Sequence, residues 1–306
     1  MQAAIHRTWT WFRVVCFAFV FAFLCAGSPA TAGGADKAPV PVHGLWVWKG
    51  PSVAEAPRGA EKLRDFCRSQ SINEVYISVS EHGDTSGLAR FSPVIDLLHQ
   101  SNIGVQALLS SENADQAGKH REKLLDHVRA VVQFNRDHPK ARFDGIHLDV
   151  EPQQRPENKG PGNLRFLPGL VEAYRAVFAI AQPARLSVNA DIQNKLLKGT
   201  LDQRRMLLSS LPQLTLMLYE LSNPNDGDSI DKKTEKLRNA SQKFLEMAYD
   251  GLHDPNLARM VIGLRTPDYS ELLPQMLEAL DDANRTDPRY EGWARHAYHD
   301  SPGAVR

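Results

Sequence analysis

Three ionisable side chains stand at every second position in the segment that ends at Glu151. They are His147, Asp149 and Glu151, and the residues between them are Leu148 and Val150. This alternation is typical of a β-strand, in which successive side chains point to opposite faces. We therefore predict that the three ionisable groups share one face of a strand. Carboxyl groups this close raise each other's affinity for a proton, which suits acid–base chemistry near neutral pH.

The strand that carries these groups is one of eight apolar, β-prone runs that alternate with helical patterns. The predicted strands are Leu45–Trp48, Val75–Ser80, Gly104–Ser110, Gly145–Glu151, Arg185–Ala190, Thr215–Tyr219, Met260–Leu264 and Trp293–Tyr298. The predicted helices lie near Arg58–Ser69, Ser92–Gln100, Lys119–Asn135, Leu164–Ala181, Leu201–Ser210, Lys233–Ala248 and Tyr269–Ala283. Such alternation favours right-handed βαβ units and a parallel sheet. Eight strands in a chain of 306 residues predict an α/β protein with a single (β/α)₈ TIM barrel, which we assign to residues 43–306.

Catalytic groups of such barrels lie at the carboxyl ends of the strands, which places Glu151 at the mouth. The mouth-facing ends of the other strands offer aromatic rings, amides and carboxyl groups. The candidate substrate-binding residues are His147, Trp46, Trp48, Met217, Glu220, Asn189, Asp191 and Trp293, and the last strand adds His296 and His299. Such a set suits a sugar, because aromatic rings can stack on the CH faces of a sugar ring and polar groups can bind its hydroxyls. Met217 and Trp46 also fit a packed barrel interior.

The amino terminus has the pattern of a secretory signal peptide. Arg7 and Arg13 precede the apolar residues 14–26, and Ala30-Thr31-Ala32 forms a small-residue cleavage site. We predict a cleaved signal peptide over residues 1–32, a flexible lead-in over residues 33–42, and export to the periplasm or the extracellular space. The apolar run is too short for stable membrane insertion.

Composition restricts the partners of the mature chain. The full sequence has 36 basic and 36 acidic residues, so neither nucleic acid nor an anionic membrane is an expected partner. No Gly-x-Gly-x-x-Gly follows a predicted strand, and neither Gly-x-Ser-x-Gly nor His-Glu-x-x-His occurs. We expect a monomer without a cofactor that acts on a polysaccharide or an oligosaccharide.

The segment Asp144–Glu151 reads Asp-Gly-Ile-His-Leu-Asp-Val-Glu. It resembles the fourth-strand motif Asp-Gly-x-Asp-x-Asp-x-Glu of glycoside hydrolase family 18, the chitinases and endo-β-N-acetylglucosaminidases. Met217–Glu220 is similar to the family's sixth-strand Met-x-Tyr-Asp, and Trp293 to its sugar-stacking tryptophan. The chain departs from the family pattern at His147, where the family has aspartate, and at Glu220. The family's third-strand Ser-x-Gly-Gly is missing as well, so the resemblance implies a divergent member or a neighbouring family.

The resemblance implies a substrate-assisted retaining mechanism, an exception to the usual two-carboxylate scheme. Glu151 would protonate the glycosidic oxygen, and the 2-acetamido group of the sugar would attack its own anomeric carbon. Asp149 would orient that group, with Tyr219 donating a hydrogen bond to its carbonyl. No metal and no protein nucleophile is implied.

Three alternatives remain open at this stage. A conventional two-carboxylate glycosidase needs a glutamate at the end of strand seven, where Arg265 and Thr266 stand instead. A metal-dependent hydrolase would use His147, Asp149 and Glu151 as ligands but lacks a histidine-rich partner strand. A lectin-like barrel would bind a glycan without cleaving it, although such proteins typically lose the acid that Glu151 retains.

Overall fold

The computed structural model describes residues 40–79, 87–160, 162–219, 229–265, 273–301 and 304–305. The predicted signal peptide, residues 1–32, and the lead-in as far as residue 39 lie outside the described residues. No helix in the described part of the chain combines the length and the apolar character that a membrane span requires.

Eight parallel strands close into a barrel in chain order, so the predicted (β/α)₈ fold is confirmed. The strands are β1 Val42–Val47, β2 Glu74–Ser78, β3 Gly104–Ser111, β4 Gly145–Val150, β5 Ser187–Gln193, β6 Gln213–Met217, β7 Arg259–Arg265 and β8 Tyr290–His296. Each strand pairs with its neighbour in sequence, and β8 pairs with β1.

In the described residues all seven predicted helices are present, together with one short α-helix that was not predicted. The helices are α1 Gly50–Glu55, α2 Gly59–Ser69, α3 Ser92–His99, α4 Lys119–Asp137, α5 Leu167–Ala181, α6 Leu201–Leu208, α7 Ile230–Tyr249 and α8 Leu273–Asn284. The additional helix is α1, which has a proline in its first turn, where the missing N–H has no intrahelical partner to lose.

The apolar side chains form two layers on opposite faces of the strands. The larger layer lies between the strands and the helices and includes Ile146, Leu148 and Val150 of β4. A smaller cluster fills the barrel interior and includes Trp46 and Tyr76. The polar residues of β4 alternate with the first set and therefore face the interior, as the sequence predicts.

The start of β4 is held by the end of the preceding helix. The side chain of Asn135 on α4 donates to the carbonyl of Phe143 and accepts from its N–H, both at 2.8 Å. Asp144 accepts a hydrogen bond from the N–H of Val105 on β3, also at 2.8 Å. These contacts fix the register of β4 and thus the depth at which Glu151 emerges.

The barrel closes where β8 meets β1, and β8 differs from its prediction. It begins at Tyr290, three residues before the predicted start, and its interior-facing residues are Gly292, Ala294 and His296. Gly292 has a φ of +140°, and a Cβ atom there would lie 2.0 Å from the carbonyl oxygen of Val42. The close approach of the two strands therefore requires glycine at this position.

Candidate active site

Glu151 directly follows β4 at the mouth of the barrel. Its N–H donates to the carbonyl of Ser111 at 3.1 Å, which ties it to the end of β3. Three amides donate to its carboxylate: Gln193 at 2.8 Å and Gln153 at 3.0 Å bind Oε1, and Gln154 binds Oε2. Both carboxylate oxygens are therefore held in place by the protein.

Two opposing effects act on the proton affinity of Glu151. Burial raises its pKa above the ordinary glutamate value, and the negative charge of Asp191 acts in the same direction. The three amide hydrogen bonds stabilise the carboxylate and oppose this increase. Because the net shift is upward, Glu151 keeps its proton to a higher pH than an exposed glutamate, as a general acid requires.

Asp149 lies one step deeper on the same face of β4. Its pKa is raised well above the ordinary value, first by burial and then by the charges of Asp191 and Glu151. A hydrogen bond with Ser110 on β3 opposes this effect but does not cancel it. Two adjacent carboxyl groups with raised proton affinity are an arrangement that can hold and transfer protons.

A cleft of about 250 Å³ opens over these carboxyl groups. Its lining consists of Trp48, Asp149, Glu151, Gln154, Gln193, Asn194, Met217, Tyr219 and His296. Of the residues predicted from the sequence, the structure thus brings together the two carboxyl groups, Tyr219, Trp48, Met217 and His296. Contact of these residues with a substrate remains a prediction.

Tyr219 and His296 line the cleft in electrically neutral forms. Burial raises the pKa of the Tyr219 hydroxyl well above its ordinary value, so the hydroxyl remains a hydrogen-bond donor. Burial lowers the pKa of His296. The His296 ring lies between two aromatic rings, with centroids 5.4 Å from Tyr219 and 5.8 Å from Trp48. The wall they form combines aromatic faces with polar edges.

Four predicted substrate-binding residues lie beneath the cleft. Trp46, His147, Asn189 and Asp191 are each at most 2% exposed, and none lines the cleft. Their contact with a substrate stays a prediction, and the structure places them one layer below the residues that line the cleft. The reason is the depth of the barrel: the side chains of these positions form the interior packing layer, whereas those nearer the strand ends reach the mouth.

Trp293 lies on the outer face of β8 and does not line the cleft, and its role in sugar stacking stays a prediction. Its ring stacks on His43 at 4.2 Å, and its Nε1 donates to Asp281 on α8 at 3.1 Å. A separate cavity of about 340 Å³ adjoins this cluster, and neither Asp149 nor Glu151 lines it. Glu220, another predicted substrate contact, lies outside the described residues.

The amide residues around Glu151 were not identified from the sequence. Gln193 lies two residues after Asp191, and the predicted strand five stopped at Ala190, whereas β5 extends to Gln193. The period of two along β5 could have placed Gln193 on the same face. Gln153 and Gln154 belong to the 3₁₀ turn that follows Glu151, for which the sequence contains no strand or helix pattern.

The ligand geometry of a metal-dependent hydrolase is not found in the described part of the chain. No group of three histidine, cysteine, aspartate or glutamate side chains there is arranged to hold a metal ion. His147 lies in the fully buried layer, whereas Glu151 is partly exposed at the mouth.

Neither a family model nor a curated protein matches the sequence. Solved structures match its fold at low identity. A chitinase from Bacteroides thetaiotaomicron has a TM-score of 0.55 at 13% identity and covers 84% of this chain and 89% of its own. A family 18 chitinase from Pseudoalteromonas aurantia has a TM-score of 0.53 at 10% identity, and the match covers 86% of this chain and 97% of that protein. The cellulose synthase subunit Z from Clostridioides difficile has a TM-score of 0.51 at 12% identity, and the match covers 84% of this chain and 91% of that protein. This chain is therefore a (β/α)₈ barrel whose fold resembles that of family 18 chitinases.

Proposed function

We propose that this protein is a glycoside hydrolase that cleaves a glycan containing N-acetylated amino sugars, with Glu151 as its general acid. The observation that carries the proposal is the pair Asp149 and Glu151: two carboxyl groups with raised pKa values at the mouth of a TM barrel, in one cleft with Tyr219. Glycosidic bond cleavage requires such a proton donor beside the leaving oxygen. The fold shared with chitinases supports the same reaction class.

In the proposed reaction, Glu151 transfers its proton to the glycosidic oxygen as the bond to the anomeric carbon breaks. The carbonyl oxygen of the 2-acetamido group bonds to that carbon from the opposite side. Asp149 orients the acetamido N–H, and the neutral Tyr219 hydroxyl donates to its carbonyl. Water then attacks the anomeric carbon and displaces the acetamido carbonyl oxygen, whose bond to that carbon breaks. The water gives a proton to the Glu151 carboxylate, which restores both the acetamido group and the enzyme.

The hydrogen bonds of Glu151 favour one of its oxygens as the proton donor. Oε1 accepts from two amides, whereas Oε2 accepts only from Gln154, whose side chain is exposed. A substrate that displaces Gln154 therefore meets Oε2. Trp48 and Met217 offer apolar faces for the sugar ring in the same cleft.

The same proposal includes the location and state of the protein. Residues 1–32 direct export to the periplasm or the extracellular space, where the mature chain acts as a monomer on a polysaccharide or an oligosaccharide. The polar, uncharged amides of the cleft fit a neutral glycan hydroxyl surface better than a phosphate backbone.

The test is a screen of the mature protein against β-linked N-acetylglucosamine oligomers, peptidoglycan fragments and N-glycans, with and without a chelator. We expect cleavage that survives chelation, and a loss of roughly 10²-fold or more in Glu151→Gln. Glu172→Gln, an exposed glutamate on α5, is the matched control and should retain full activity. Activity that disappears with the chelator would favour the metal-dependent alternative.

Two outcomes contradict the proposal directly. Unchanged turnover in Glu151→Gln would exclude Glu151 as the acid. Binding of a glycan without cleavage of any substrate would place the protein with the lectin-like barrels.

A further inference from the structure

A buried carboxylate lies beneath the candidate active site. Asp191 on β5 is 2% exposed, and its Oδ2 accepts a hydrogen bond from Trp46 Nε1 at 3.1 Å. Its Oδ1 lies 2.9 Å from His147 Nε2, although the geometry is not that of an aligned hydrogen bond. A carboxylate removed from water is costly unless it is paired, so this arrangement is one that a purely structural core avoids.

The neighbours of Asp191 are themselves held in place. The ring of His147 stacks on Tyr76 at 3.8 Å with an interplanar angle of 21°. The ring of Trp46 meets His147 edge-on at 5.8 Å and Tyr76 at 5.4 Å. Because all three rings are fully buried, Asp191 has little freedom to move.

Asp191 also lies beside the proposed catalytic strand. Leu148 of β4 pairs with Ala190 of β5, so the next residues of the two strands, Asp149 and Asp191, are neighbours on the interior face of the barrel. Among the charged neighbours of Asp149, it has the largest effect on the pKa, ahead of Glu151. It is likewise the first charged neighbour that raises the pKa of Glu151 and of Tyr219. One buried carboxylate thus acts on every member of the proposed catalytic set.

We propose that Asp191, held by Trp46 and His147, is a positioning residue that keeps Asp149 and Glu151 in their proton-carrying forms. The inference rests on the proposed function. It assigns the buried layer a task in the reaction, although none of its residues lines the cleft.

Several titratable or charged groups surround Asp191. They are Tyr76 on β2, His147, Asp149 and Glu151 on or after β4, Tyr174 on α5, Tyr219 after β6 and His296 on β8, with Arg265 of β7 acting on Tyr219 and His296. Of these, Glu151 is the acid whose proton the proposed reaction transfers, and Asp149 is the carboxyl group that orients the acetamido N–H. Removing the negative charge of Asp191 makes both acids lose their protons at lower pH.

The test compares Asp191→Asn with Thr215→Val. Asn keeps the shape of aspartate and removes its charge. Thr215 is the register partner of Asp191 on β6, is equally buried and has a hydroxyl without a partner in the described residues. We expect Asp191→Asn to lower kcat by roughly 10- to 100-fold, to change KM little, and to move the alkaline limb of the kcat/KM profile to lower pH. Thr215→Val should leave that limb in place.

A uniform loss of activity in Asp191→Asn, with the alkaline limb unmoved, would overturn the proposal and leave only a structural role. Unchanged kcat would overturn it as well. Failure of the proposed function is recognised separately, because Glu151→Gln would then retain its activity whatever Asp191→Asn does.

A second pair of variants keeps the test decisive if Asp191→Asn does not fold. His147→Gln keeps a polar N–H group that can approach Asp191 Oδ1, whereas His147→Leu leaves that oxygen beside an apolar side chain. We expect kcat of the Gln variant to exceed that of the Leu variant by roughly 10-fold. Equal kcat values in two folded variants would contradict the proposal.

Discussion

The hydrogen bond from Gln193 to Glu151 leads to a prediction about what sets the proton affinity of Glu151. Gln193 Nε2 donates to Glu151 Oε1 at 2.8 Å, and both side chains are partly buried. Gln193→Leu removes the donor and keeps a side chain of similar size. Because the hydrogen bond stabilises the carboxylate, its loss must raise the pKa of Glu151 beyond the increase that burial already causes.

The energetic effect follows from the remaining contacts. A hydrogen bond to a charged group is worth about 1.5–3 kcal/mol. In Gln193→Leu, Oε1 keeps its bond from Gln153, Oε2 keeps its bond from Gln154, and water reaches the carboxylate. We therefore expect the lower end, a loss of about 1.5 kcal/mol in the free energy of unfolding at pH values at which Glu151 is ionised.

The sign of the pH dependence is determined by which form of Glu151 uses the bond. At low pH Glu151 is protonated in the folded protein of both variants, so the difference in unfolding free energy is small. As pH rises through the raised pKa of Glu151, the difference grows to its full value. The alkaline limb of the kcat/KM profile should move to higher pH, since Glu151 stays protonated longer.

The assays are urea denaturation at an acidic and an alkaline pH, and the pH profile of kcat/KM on the best substrate from the screen. Gln133→Leu is the matched control, because Gln133 Nε2 donates to the carboxylate of Asp137 at 2.9 Å on the exposed surface of α4. That variant should leave the limb in place. A limb that stays in place or moves to lower pH in Gln193→Leu would refute this reasoning about Glu151.

Two further predictions concern the parts of the barrel that support the site. Arg155→Ala should lower the free energy of unfolding by about 3 kcal/mol, because Arg155 donates two hydrogen bonds, at 2.6 and 2.7 Å, to the nearly buried carboxylate of Asp115. A urea titration that finds a loss of less than about 1 kcal/mol would contradict this. Gly292→Ala should cost about 2 kcal/mol or more, since its Cβ would lie 2.0 Å from the Val42 carbonyl oxygen. A thermal unfolding midpoint equal to that of the unmodified protein would show that β1 and β8 do not approach as described.

The residues whose placement differs between prediction and structure lie mainly at the ends of strands. The period of two in β4 correctly placed Asp149 and Glu151 on the interior face, because alternation is a local property of a strand. The end of β5 was predicted three residues early, and Gln193 was missed for that reason. Strand ends depend on pairing with neighbours that a local pattern does not contain.

The sequence by itself determined the closed barrel, the polar face of β4 and the position of Glu151 at its mouth, since these follow from hydrophobic alternation and from the order of strands and helices. Only the tertiary structure decided the depth of each side chain. It placed Trp46, His147, Asn189 and Asp191 under the cleft, placed Trp293 on the outer face of the barrel, and added three glutamines around Glu151. The physical reason is that depth in a barrel depends on the register between strands distant in sequence and on the volume of the side chains that fill the interior.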